Sequence, residues 1–203
     1  MDQNIENILL TGRELFMRYG IKSVSMDDLA RELGMSKRTL YKHFSSKKEL
    51  VKKIVFHHTE EEESMMRSIQ ELSVDAIQEM LLISDYIQKL TTQMKPTILY
   101  DLKKYHKEAW NIIESLHFGF VRQCLIHNIK KGQEEGLYRD EVKADKIANF
   151  YTNMAFSIMS DPKMLGPEAS LSDVHLAYMD YHMHALMTKQ GLSKYDKYQH
   201  HES

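Results

Sequence analysis

The segment Ser25-Met-Asp-Asp-Leu-Ala-Arg-Glu-Leu-Gly-Met-Ser-Lys-Arg-Thr-Leu-Tyr-Lys-His-Phe44 constrains the fold more than any other part of the chain. Ser25 is an N-cap for a helix over about Met26 to Leu33, and the acidic Asp28 complements the positive helix end. Leu29, Ala30 and Leu33 give that helix one apolar face. Gly34 accepts positive φ and stops it, and Ser36 caps a second helix over about Lys37 to His43. The turn between them is about as short as two packed helices allow. In the second helix Leu40 points inward with Phe44 one turn later, which leaves Lys37, Arg38, Thr39, Tyr41, Lys42 and His43 outside. Cations and hydroxyls bind phosphates, and Arg, Lys and Thr reach base edges in the major groove. This is the chemistry of a recognition helix, although short basic helices after a Gly turn also occur as plain solvated surface.

The flanking sequence favours the first reading. Ser46-Lys47-Lys48-Glu49 is a capping box opening a further helix, so Lys47 and Lys48 stand beside the free N–H groups of a helix N-terminus, where phosphate is held well. Upstream, Ile5, Ile8, Leu9, Gly12, Leu15, Phe16 and Tyr19 mark an amphipathic helix ended by Gly20. Together these predict a three-helix, helix-turn-helix head over residues 1–48, with Ser25, Ser36, Lys37, Arg38, Thr39, Tyr41, Lys42, His43, Lys47 and Lys48 as candidate DNA contacts.

Over about residues 5 to 55 the chain resembles the TetR family of bacterial transcriptional regulators. Leu15-Phe16, Gly20, Ser25, Leu29-Ala30, Gly34, Ser36, Leu40-Tyr41, His43-Phe44 and Lys47 fall in the family's order and spacing. The resemblance implies that the residues at Ser25, Lys37, Thr39, Tyr41, His43 and Lys47 touch DNA. Two positions depart from the family pattern. Gly12 replaces the usual Ala in the first helix, a loss of about 1 kcal/mol in helix propensity. Arg38 places a long cation where a small residue is common, so the preferred bases do not carry over from relatives.

Charge divides the chain in the same way. Residues 1 to 58 hold eleven Lys and Arg against seven Asp and Glu, and the remaining residues hold sixteen against twenty-two. One positive face and a separate acidic body suit selective rather than indiscriminate nucleic-acid binding. Three prolines, eight glycines and no alternating strand pattern predict an all-α fold of about nine helices. No charged-then-apolar leader and no run of about 18 apolar residues is present, so a cytoplasmic protein away from the membrane, at the nucleoid when bound to DNA, is expected. The one cysteine, Cys124, excludes an internal disulfide and reads as core beside Ile113, Leu116, Phe120 and Val121; a redox sensor is the alternative.

Residues 49–190 read as a helical ligand-binding and dimerisation domain, and 191–203 as a disordered polar tail carrying His200 and His201. A helix from about Lys47 runs through the acidic Glu60 to Glu63 stretch, and Ser73 starts another near Val74. Pro96 marks a break before a short helix to about Lys104, and a long helix from about Lys107 to Glu135 ends at Gly136. The segment Gly132-Gln-Glu-Glu-Gly-Leu-Tyr-Arg139 resembles the family's closure of that helix. Helices over about 143–160 and 171–189 flank a loop with Pro162 and Pro167. In the first, Ile147, Phe150, Tyr151, Met154, Ala155, Ile158 and Met159 cover more than one stripe; in the second, Leu171, Val174, Tyr178, Tyr181, Ala185 and Leu186 do likewise. Girdles so broad need burial on two sides, and the family resemblance implies a homodimer through these two helices, a four-helix interface. Helices central to one domain are the plainer alternative.

The body holds ten of the fourteen methionines and nine of the eleven tyrosines, types that line adaptable apolar pockets as well as ordinary cores. With the family's ligand pockets between middle helices as precedent, Tyr86, Met94, Tyr100, Trp110, His117 and Phe120 are the candidates for a small, largely apolar effector. The eleven histidines make no chelating pair: His57 and His58 point about 100° apart, His182 and His184 about 200°, and His175 and His182 lie over about 10 Å apart. No metal or cofactor is expected. No phosphate loop, dinucleotide motif, nucleophile elbow or metalloprotease motif is present, so an enzyme is not expected. The expected function is a repressor binding a palindromic double-stranded operator as a homodimer and released by its effector. An architectural or partner-recruiting DNA protein without an effector is the alternative.

Overall fold

Local capping and the apolar stripes set the helix boundaries. The computed structural model describes residues 3–95, 97–161, 164 and 169–201. The helices are α1 (Gln3–Tyr19), α2 (Met26–Glu32), α3 (Lys37–His43), α4 (Lys47–Leu72), α5 (Ala76–Gln93), α6 (Thr97–Tyr105), α7 (Lys107–Leu116), α8 (Arg122–Glu134), α9 (Ala144–Ser160), α10 (Leu171–Leu186) and α11 (Lys189–His201). A π-helical turn, His117–Val121, joins α7 to α8 without a break in helical backbone, so these read as one rod and the described residues form ten rods. No strand occurs among them, only one isolated antiparallel bridge between Tyr138 and Met187. The breaks expected at Pro96, Pro162 and Pro167 lie outside the described residues.

The chain divides into two compact units, Met1–Glu62 with Gln93–Ser115, and Glu63–Thr92 with Leu116–Ser203. The first therefore extends beyond the expected head at residue 48. The reason is α4, whose Leu50, Val51, Ile54 and Val55 are all buried. Ile54 lies so close to Gly12 that a Cβ there would meet its Cδ1 at 2.7 Å. Gly12 leaves that space to Cδ1, the tip of the flexible Ile54 side chain. Ile8, Leu9, Phe16, Leu29, Leu40 and Phe44 complete the small core expected from the apolar spacing, and Ile98, Leu102 and Trp110 are also buried in this unit.

In the second unit the core joins α5, α8, α9, α10 and α11 through Ile77, Met80, Ile129, Leu137, Tyr138, Ala148, Met183 and Tyr195. Gly136, at φ +69, closes α8 as expected, and the carbonyl of Gly132 accepts both Leu137 N–H and Tyr138 N–H. Asp75, not Ser73, caps α5: its Oδ1 accepts the N–H groups of Ile77 and Gln78, whereas the Ser73 hydroxyl donates back to Ile69 in α4. The helix expected over 171–189 stops at Leu186, where Met187 turns extended.

The segment expected to be a disordered tail is a helix. Thr188 caps α11, its Oγ1 accepting from Gly191 N–H, and Tyr195 is buried. Lys194 and the Tyr198 hydroxyl meet Asp75 at 2.8 and 2.6 Å, and Tyr195 donates to Asp180 at 3.0 Å. The polar composition concealed this because the burial comes from tertiary partners on α5 and α10, not from a stripe strong enough to mark a helix alone.

Candidate DNA interface and effector site

Ser25 and Ser36 act as the caps the sequence predicts. Ser25 accepts from Asp28 N–H and Asp28 accepts from Ser25 N–H, a full capping box, with the Ser25 hydroxyl also donating to Asp28 at 2.6 Å. These bonds hold the Asp28 carboxyl below its usual range. Gly34 takes φ +62 in the turn. Ser36 accepts Thr39 N–H at 3.1 Å and shares a 2.8 Å hydroxyl contact with Thr39.

With Leu40 and Phe44 driven into the core, α3 turns Lys37, Arg38, Thr39, Tyr41 and Lys42 to solvent, while His43 is half-buried. These side chains lie on one short helix. Lys37 is not free: its ammonium pairs with Asp27 of α2 at 2.8 and 3.0 Å, which raises its affinity for the proton, and stands 5.9 Å from the Tyr41 ring.

At the start of α4 the capping is shifted from the expected pattern. Ser46 accepts Glu49 N–H, but the Glu49 carboxylate reaches back to Ser45 N–H and hydroxyl rather than to Ser46. Lys48 is exposed. Lys47 turns inward: its ammonium donates to the Ile21 carbonyl and lies 5.8 Å from the Phe16 ring, and burial lowers its pKa. It ties α4 to the turn after α1, a role invisible in local spacing because its acceptor lies 26 residues away.

The six effector candidates divide between the units. Met94, Tyr100 and Trp110 belong to the first, where Tyr100 is exposed and accepts from Lys104, and Trp110 is buried beneath Lys103 at 5.9 Å. Tyr86, His117 and Phe120 belong to the second. There His117 Nε2 donates to the Thr152 carbonyl at 2.8 Å and its ring packs on Phe118 and Phe156, while Arg67 covers Phe120 at 4.6 Å. Spacing along the chain did not reveal a second grouping in this unit. Tyr151 stacks on Tyr178 at 4.7 Å, His182 lies 4.4 Å from the Tyr151 ring, and His175 meets the Ser84 hydroxyl. His182 is 6% exposed, its Nε2 has no hydrogen-bond partner, and burial pushes its pKa down to about 4. Cys124 is half-buried, its thiol pushed up to about 11 by burial. Among the described residues no three His, Cys, Asp or Glu side chains gather to hold a metal ion, and no helix is long and apolar enough to cross a membrane.

The fold of the head and the solvent-facing α3 define a helix-turn-helix DNA-binding module. Residues 8–54 match the family model of bacterial regulatory proteins, tetR family. The match covers the helix-turn-helix head, and over that stretch the chain is similar to that family. It is 37% identical over 97 residues to the uncharacterized HTH-type transcriptional regulator YvaF of Bacillus subtilis (strain 168), covering 46% of this chain and 50% of that protein. It is 32% identical over 74 residues to the HTH-type transcriptional activator FasR of Mycolicibacterium smegmatis, covering 36% of this chain and 34% of that protein. The chain thus spans half the length or less of these two relatives. Its fold is that of a transcriptional regulator from Saccharomonospora viridis solved in complex with choline, with 18% identity, a TM-score of 0.69, and coverage of 93% of this chain and all of that one.

Proposed function

We propose that the protein is a transcriptional regulator that binds a palindromic DNA operator as a homodimer, represses from it, and lets go when a small, largely apolar effector binds. It acts in the cytoplasm and is not an enzyme. The observation that carries the DNA reading is α3, a capped helix whose apolar side is fully used and whose Arg38, Thr39, Tyr41 and Lys42 all face solvent. Exposed Lys48, and Lys37 once it leaves Asp27, add phosphate contacts beside it. Two such helices about 34 Å apart fit successive major grooves, which is why the reading includes a dimer. The dimer reading is supported by Phe150 and Tyr181, which are 60% and 67% exposed on the sides of α9 and α10 opposite their buried residues.

The effector reading rests on the second unit, where His117 and Phe120 stand in the π-turn and His182 keeps a buried ring nitrogen without a partner. An apolar molecule with one hydrogen-bonding group suits such surroundings, and the choline-bound relative supports ligand capture in this fold. The effector weakens DNA binding only if it prefers the conformer that fits DNA less well.

Selection of duplexes from a random pool, followed by binding titrations at several salt concentrations, tests the DNA reading. Saturable binding to a selected palindrome is expected, lost on replacing Lys37, Arg38 and Tyr41 by Ala. Equal affinity for selected and random duplexes would instead favour an architectural role. A thermal-shift screen of apolar compounds tests the effector: a hit that stabilises the fold without releasing DNA would refute the switch.

A further inference from the structure

Asp27 and Lys37 form an ion pair between the first turn of α2 and the first residue of α3, with the two carboxylate oxygens 2.8 and 3.0 Å from the ammonium. Their side chains remain 55% and 58% exposed, so water screens the pair and it contributes little to stability. The helices do not need it either, since α2 and α3 are capped by Ser25 and Ser36 and held by Leu29, Leu40 and Phe44. Its place is what matters: it occupies one of the cations that α3 presents for DNA. A phosphate approaching Lys37 must either displace the carboxylate or share the ammonium with it.

We propose that Asp27 is a specificity-determining residue, holding Lys37 in an internal pair that Lys37 leaves for DNA only on a duplex whose contacts with the rest of α3 are well matched. On arbitrary DNA the other cations bind phosphate loosely, and no fixed contact repays the broken pair. On a matched site α3 is seated, a phosphate or base edge is held against Lys37, and the exchange proceeds. The carboxylate therefore lowers affinity for the many wrong sequences more than for the right one, the repulsive half of selectivity. This inference rests on the DNA-binding reading of α3.

The test compares the wild-type protein, Asp27→Asn and the double variant Asp27→Asn/Lys37→Gln on two duplexes, one of random sequence and one selected from a random pool by the wild type. Thermal melting confirms that each variant is folded. On the random duplex, Asp27→Asn is expected to steepen the slope of log K against log salt by about 0.9, one additional phosphate contact, and to raise affinity about two- to fivefold, the range that an exposed ion pair can withhold. The double variant returns the slope to the wild-type value, and preference for the selected duplex falls about two- to fivefold in Asp27→Asn. An unchanged slope in Asp27→Asn overturns the proposal. So does a steeper slope that persists in the double variant, which would mean plain repulsion by Asp27, or an equal gain on both duplexes. If the wild type selects no sequence at all, it is the operator reading that fails, while the slopes on random DNA still decide whether Asp27 restrains Lys37.

Discussion

An added Cβ at Gly132 would lie 2.1 to 2.6 Å from ring atoms of Tyr138, a fully buried ring whose hydroxyl is within 3.2 Å of the Ala76 carbonyl and Asn128 Oδ1. The ring has no room to retreat, so Gly132→Ala is expected to cost about 3 kcal/mol or more in urea unfolding. Gly119, whose Cβ would meet nothing within 4 Å, serves as the contrast: its Ala variant is expected to gain up to about 1 kcal/mol. In sequence the two glycines look alike. A second expectation concerns acid. Burial drives the His182 pKa from 6.5 down to about 4, so the folded protein keeps this imidazole neutral where the unfolded chain protonates it. Its contribution is whole above pH 6.5 and is lost as pH falls toward about 4, on the order of 3 kcal/mol in all. His58, His117 and His175 are shifted down by burial as well and act in the same direction. Urea titrations at pH 7.5 and 5 are expected to show stability falling less in His182→Leu than in the wild type; parallel losses would count against the assignment.

Elements were legible where their signals are local. The caps Ser25 and Ser36, the turn glycines Gly34 and Gly136 and the inward Leu40 and Phe44 stand as the spacing predicts, because each acts within a few residues. Signals that depend on tertiary partners were not legible. Lys47 looks like a phosphate ligand at a helix start, yet it faces a carbonyl on another segment. Asp75 caps α5 and also receives Lys194 and Tyr198 from α11, so a residue with an ordinary local role fixes the helix that composition reads as a loose tail. Asp75→Ala is accordingly expected to cost about 2 to 4 kcal/mol, a lost cap together with partners left behind on α11. Tyr198→Phe should cost about 1 kcal/mol. Hydrogen exchange locates the effect: amides of α11 are expected to lose protection in both variants, and protection confined to the wild-type pattern would mean that α11 is held by its buried Tyr195 alone.

At the scale of the whole molecule the girdle on α9 and α10 decides between one chain and two. The inward residues Ala148, Tyr151, Ile158, Met179, Met183 and Leu186 are buried within their own unit, so the demand for a core is met without Phe150, Leu176 and Tyr181. All three stay exposed, and Ala177 and Ala185, also exposed, lie one turn either side of Tyr181 on the same face of α10. An apolar surface left over once the core is complete suits a self-complementary contact across a two-fold axis, in which each copy offers the same pair of helices. Phe150→Glu with Tyr181→Glu places like charges across that contact without touching a buried position. Light scattering behind size exclusion is expected to give a dimer for the wild type and a folded monomer for the variant. The monomer should bind a single half-site duplex as well as the wild type does, but lose on the order of a hundredfold or more on the full palindrome, because linked binding of two half-sites multiplies affinity only when one molecule carries both heads. A variant that stays dimeric would move the interface elsewhere. A monomer that keeps full affinity for the palindrome would show that the two heads do not need each other on DNA.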